Sequence, residues 1–313
     1  MAEARASAPL ERWLSLATTV LAPATVLSTL LFYFGYVSSR AQFEYFGVDV
    51  DTIGLSTQDY VMRSPQPLLV PLLVLTVLAV AALLLHSAIA RRIALAGPES
   101  SAAARLAHYR LIARRTSRAG LAILAGGMVL LLSYPFFREW GLFALVTPVL
   151  IGSGATVAAY GSRLQARLQG QGPTPESNHL GQADTSLAAL RRYTGGALVV
   201  VILANIFWAT ATIAQWSGRG LAHYNATHLD RLPSVVLDTH ERLFLRSPGI
   251  SETALPVSPG QTFRFRYRNL RLLIEGKDRM FLVPDRWSAS DSTLIVPLDG
   301  SVRVQFQFQN DPP

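Results

Sequence analysis

Three histidines, His223, His228 and His240, stand close together after the last apolar stretch and invite a metal reading. Their spacings match no zinc signature, and such a site needs three or four converging ligands, so no metal is expected. Asp49 and Asp51 could ligate a divalent cation through oxygen. The rest of an EF-hand loop is missing, however, and solvated turn acids are the simpler reading. Arg264, Arg266 and Arg268 form an alternating row that could bind phosphate-rich envelope polymers or lipid headgroups. The solvated face of a half-buried strand explains the same row. Serine, histidine and aspartate all occur, but without a GxSxG elbow a hydrolase has little support. No GxxxxGK[ST] loop occurs, nor a GxGxxG between strand and helix, so no nucleotide cofactor is expected. The absence of cysteine removes disulfides, thiolate metal sites and a cysteine nucleophile. Asn225-Ala-Thr227 fits a glycosylation sequon, which matters only in a eukaryotic secretory pathway. No catalytic residue can be assigned.

The elements that must carry these residues are membrane helices. Half of the 313 residues are apolar, only 15% are charged, and mean hydropathy is +0.30. A soluble domain has about a quarter charged residues. Five windows lack Asp, Glu, Lys and Arg and approach or exceed the roughly 20 residues that cross a bilayer. They cover 13–39, 64–90, 119–137, 140–162 and 193–218. Continuous apolar runs imply helices, because only helices and closed barrels satisfy their backbone in lipid. The first run is too long for a signal-peptide core and is not followed by a small-x-small cleavage site, so it is expected to be a retained anchor. Only Arg138 and Glu139 separate the third and fourth windows, which predicts a tight helical hairpin.

The net charge is +8 and Lys277 is the only lysine. The excess lies between apolar windows rather than on one soluble face, which argues for topology and against nucleic acid. Arg5 and Arg12 precede the first window. Seven arginines between Arg91 and Arg118 face one acid, Glu99, in the second connection. The fourth connection carries Arg163, Arg167, Arg191 and Arg192. With five spans these segments share one side, which the positive-inside rule places in the cytoplasm. Everything after Gly218 then lies outside the cell. The second connection reads as an amphipathic helix from about Ser101 to Arg118, whose arginines either bind anionic lipid or only fix topology.

Within the spans His86 is the only ionisable group, which counts against an ion-coupled carrier. Thr18, Thr25 and Thr29 share a face of the first span, and Asn205 and Thr212 share one of the fifth. Both faces suit helix packing, or a narrow pore in an oligomer. Gly154 with Ala158 and Ala122 with Gly126 are small-xxx-small pairs that let helices approach. Tyr134-Pro135 and Thr147-Pro148 should bend or end their helices. In the first outer loop, Ser56 with Asp59 resembles a capping box, and the loop should pack against the outer domain.

From Arg219 onward, alternation replaces apolar runs. Strands are expected at 234–238, 243–246, 263–268, 270–275, 279–283, 293–296 and 302–309, with a hairpin at Gly276-Lys277-Asp278. The result is a small β-sandwich or barrel on a helical or irregular neck, 221–232.

The run Phe32-Tyr-Phe-Gly-Tyr, then Tyr45-Phe-Gly-Val-Asp, Leu55-Ser-Thr-Gln-Asp-Tyr and Arg63-Ser resembles a segment of uncharacterised multi-pass membrane proteins of actinobacteria. The Arg-aromatic strand followed by Phe281-Leu-Val-Pro-Asp-Arg-Trp is similar too. The resemblance implies a bacterial plasma-membrane location and carries no functional residue.

The expected architecture is thus an α-helical polytopic bundle, 1–218, with a small all-β extracytoplasmic domain, 219–313. The expected function is non-enzymatic binding of an envelope component or partner protein. The alternatives are an oligomeric channel and, third, a membrane-associated enzyme.

Overall fold

The computed structural model describes residues 7–95, 102–137, 139–169, 181–288 and 290–307. Among them are eight α-helices: α1 (Ser7–Glu44), α2 (Val50–Ile53), α3 (Thr57–Arg63), α4 (Pro65–Leu95), α5 (Ala102–Leu132), α6 (Tyr134–Phe137), α7 (Phe143–Gln169) and α8 (Gly181–Thr227). Five, namely α1, α4, α5, α7 and α8, are long and apolar enough to cross a membrane, as a multi-pass membrane protein requires. The expected amphipathic helix and third span form one unbroken helix, α5. It ends before Pro135, as the missing N–H and fixed φ of proline favour. Pro148 instead lies inside α7. At 47 residues α8 is about 70 Å long, over twice a hydrocarbon layer. The neck is therefore helical to Thr227, followed by a short 3-10 turn, Leu229–Arg231.

The chain forms two compact units, Val70–Ile213 and Met1–Leu69 with Ala214–Pro313. In the first, α5 and α7 pack as an antiparallel pair through glycines. A Cβ on Gly154 would lie 2.4 Å from the Leu124 nitrogen, and one on Gly120 2.3 Å from that of Ala158. Gly154 and Ala158 thus do sit at the close approach. Of the second expected pair, Gly126 faces open space, and Gly127, against Ile151, makes the contact instead.

The other unit holds six antiparallel strands: β1 (Ser234–Thr239), β2 (Ser251–Ala254), β3 (Phe265–Glu275), β4 (Arg279–Pro284), β5 (Leu294–Pro297) and β6 (Val302–Gln307). They form one sheet in the order β5-β4-β3-β1-β6, with β2 sharing the β4 edge of β3. The expected sandwich or barrel is a single open sheet among the described residues. The segments expected at 263–268 and 270–275 are one strand. The apolar residues switch phase from Phe265 and Tyr267 to Leu270 and Leu272, and a β-bulge absorbs the switch. Val235 opposes Leu270 while Leu237 opposes Tyr267, so Val236 faces both Arg268 and Asn269. Asn269 takes φ +64°, a left-handed conformation that asparagine tolerates. The strand expected at 243–246 is irregular, because Phe244 has φ +49° and cannot stay extended. The strand β2 carries no apolar alternation and was not foreseen.

One sheet face buries Val235, Leu237, Tyr267, Leu270, Met280, Leu282 and Val296. On the opposite face, Ile274 and Phe281 pack with Phe43, Val48, Val50, Ile53 and Tyr60. Phe46 joins Ala222, Leu229 and Val283 in a third cluster. The loop between α1 and α4 therefore packs against the sheet, as expected. Gly276 is required at the hairpin turn: a Cβ there would lie 2.2 Å from the Ile53 carbonyl oxygen. The Thr293 hydroxyl, in turn, donates to the Phe46 carbonyl at 2.7 Å.

Candidate functional site

In the loop between α1 and α4 the acids are bonded to the chain itself. The Asp49 carboxylate caps α2 by accepting from the Asp51 N–H at 3.2 Å, and Asp51 accepts from the Tyr36 hydroxyl at 3.3 Å. Ser56 and Asp59 complete the foreseen capping box. The Asp59 N–H donates to Ser56 Oγ and the Ser56 N–H to the Asp59 carboxylate. The Ser56 hydroxyl, which donates to the Asp59 carboxylate at 2.7 Å, and then the Ser56 N–H hold the Asp59 carboxyl below its usual range. Among the described residues no group of three metal-ligating side chains converges.

The arginine row lies on the sheet face opposite Tyr267 and Leu237, by strand alternation. Its middle member is engaged. Asp238, whose side chain has no exposed surface, sits on the inner strand β1, directly between Arg266 on β3 and Arg303 on β6. Arg266 grips it with both ends of its fork, Nε to Oδ1 at 2.7 Å and an Nη to Oδ2 at 3.0 Å. Arg303 donates to Oδ2 from the other side, 2.5 Å and 3.0 Å. Hydrogen bonds from Arg266, then from Arg303, hold the Asp238 carboxyl below its ordinary value against the opposing effect of burial. Arg264 and Arg268 are exposed, with no ion pair among the described residues. The sequence signal for Asp238 was present: one acid in an otherwise apolar run, Val235-Val236-Leu237, bound for a buried strand.

The histidines are dispersed. His228 stacks on Tyr224 at 4.4 Å, and His240 Nε2 lies 3.4 Å from the Gly300 carbonyl. His223 Nδ1 lies 3.4 Å from the Tyr45 hydroxyl. These last two residues line an open groove of about 540 Å³ with Ala41, Glu44, Arg219 and Gly220. The groove joins residues far apart in sequence, so no local pattern announced it.

Several polar side chains of the spans donate to backbone carbonyls, while the buried Oδ1 of Asn205 meets no donor among the described residues. Thr25 and Thr29, both exposed, donate to the carbonyls of Leu21 and Thr25, and the side chain of Thr18 lies outside the described residues. Asn205 is buried and donates to the Val201 carbonyl at 2.7 Å. It packs where Gly152 lacks a side chain. Thr212 is buried and donates to Ala144 O at 3.2 Å as well as to Trp208 O at 3.1 Å. The first contact has a specific cause. Ala144 is four residues before Pro148, which has no N–H to give it, so Thr212 supplies a donor that the helix lacks.

Compared with protein-family models, curated proteins and solved structures, the chain matches none.

Proposed function

We propose that this chain is a non-enzymatic, multi-pass protein of the bacterial plasma membrane whose β module binds an anionic envelope component outside the cell. The observation that carries this reading is the arginine face of the sheet. Arg264 and Arg268 are exposed, and among the described residues they meet no acid. Arg266 and Arg303 flank them, and the one carboxylate between those two has no exposed surface. The patch is therefore net positive and its strands are tied together at their centre, which gives a fixed cationic surface rather than mobile tails. Packing of the first outer loop on the other half of this face supports a module seated on its membrane anchors. The N-terminus lies in the cytoplasm in this reading, and the Arg-rich connections there face anionic lipid. The channel reading gains nothing comparable, since Thr25, Thr29 and Thr212 are bonded to helix carbonyls. The enzyme reading lacks converging groups.

The test is co-sedimentation of the full chain, in detergent, with an isolated phosphodiester-containing envelope polymer. The double variant Arg264→Glu/Arg268→Glu should lose binding, and salt should weaken binding of the unaltered chain. Equal binding by the charge-reversed protein would reject the arginine face as the contact surface.

A further inference from the structure

Arg40 and Arg219 are the first charged residues after the apolar stretches of α1 and α8. In a bilayer, such first charges mark where hydrocarbon gives way to headgroups. The two helices meet at this level. Gly218 permits backbone contact there, since a Cβ on it would lie 2.0 Å from the Ser38 carbonyl oxygen. Beyond the crossing lies the groove lined by Ala41, Glu44, Tyr45, Arg219, Gly220 and His223. Its base is kept low by small residues: Ala41 is buried, and a Cβ on Gly220 would meet nothing within 4 Å.

The charges in the groove are not balanced internally. Glu44 is paired to Arg40 at 2.7 Å, one turn back on the same helix. Arg219 has no ion pair or hydrogen bond among the described residues. Beside it the Tyr45 hydroxyl lies 3.4 Å from His223 Nδ1, and in either imidazole tautomer this pair keeps one donor for an oxyanion, the Nε2–H or the Tyr45 O–H. We propose that this groove binds the phosphate of a phospholipid headgroup. The guanidinium of Arg219 supplies the charge-assisted contact and the Tyr45–His223 pair supplies a further donor. The position selects a lipid over a soluble phosphate. The groove opens at headgroup depth beside apolar helix surface, where acyl chains run and a free anion gains nothing from it. Glu44 at the rim offers an acceptor to a headgroup ammonium, so an ethanolamine phospholipid is the suitable probe. The proposal does not depend on which side of the membrane the β module occupies, and it concerns a different surface from the arginine face.

The test uses the full chain in mild detergent, titrated with phosphatidylethanolamine and followed by native mass spectrometry. Diacylglycerol, with the same chains and no phosphate, is the control. The unaltered protein should retain the phospholipid and not diacylglycerol. Arg219→Gln should weaken retention about fivefold, the effect of one interfacial cation. Gly220→Leu should weaken it by filling the groove, without disturbing the helix crossing, and each variant is informative without the other. Retention of diacylglycerol equal to that of the phospholipid would overturn the proposal. So would unchanged retention by folded variants, and displacement of the lipid by inorganic phosphate would reassign the groove to a free anion.

Discussion

Two side chains show how a single group can hold structure that its sequence neighbours cannot explain. Asp238 is buried between two arginines, and its depressed pKa fixes the sign of its pH dependence. The folded state favours the carboxylate, so its stabilisation is complete above the unfolded pKa of roughly 3.9 and is lost as pH falls through the folded value. Asp238→Asn should cost about 2–3 kcal/mol, less than a fully buried pair because both arginines can reach water. Hydrogen exchange should quicken in the edge strand β6, and the difference from the unaltered chain should shrink below about pH 4. Unchanged exchange in β6 would show that the arginines are held by something other than Asp238. Thr212 poses a parallel case within the membrane unit. Thr212→Val leaves the Ala144 carbonyl without a donor, at a cost of about 1–3 kcal/mol. Adding Pro148→Ala restores the N–H that the helix lacks and should recover most of the loss. A double-mutant cycle on unfolding in detergent checks this, and purely additive effects would refute the link between the proline and the threonine.

At the scale of elements, register and close approach decide what each change does. Gly154→Leu drives a side chain into the Leu124 backbone and should destabilise the α5–α7 pair by about 1–3 kcal/mol or more. Gly126→Leu points into open space and should be nearly neutral, as thermal unfolding in detergent would report. Both glycines looked equivalent from spacing, because a small-xxx-small pattern says that helices can approach and not which face does so. The five long apolar helices, the capping box at Ser56 and the hairpin at Gly276 were legible because each is a local rule of period or cap. Strand β2, Ser-Glu-Thr-Ala, was illegible since all four residues are exposed and its pairing comes from β3. The bulge at Arg268-Asn269 disguised one strand as two, because a period-2 reading has no place for an added residue. The groove at Arg219 and the partner of Thr212, the Ala144 carbonyl, escaped for a common reason: each is made by contacts between helices distant in the chain.

At the scale of the whole molecule, the arginine asymmetry and the odd number of apolar helices put opposite demands on the two ends of the chain. The positive-inside rule assigns the connections rich in arginine to the cytoplasm and the sheet to the outside, and the proposed envelope contact requires that placement. The absence of cysteine makes this directly measurable, since one introduced thiol is the only thiol present. Thr253→Cys sits on the exposed strand β2, and Ser100→Cys in the second connection. In intact cells a membrane-impermeant maleimide should label the first and spare the second. After permeabilisation both should react. The reverse pattern would place the arginine face in the cytoplasm and exclude an envelope ligand, while leaving the groove at Arg219 intact as a lipid site in the other leaflet. Labelling of both thiols in intact cells would mean that an even number of the long helices between them, α5, α7 and α8, crosses. The seven arginines between Arg91 and Arg118 would then have been drawn across the membrane against their charge, the least favourable arrangement for this sequence.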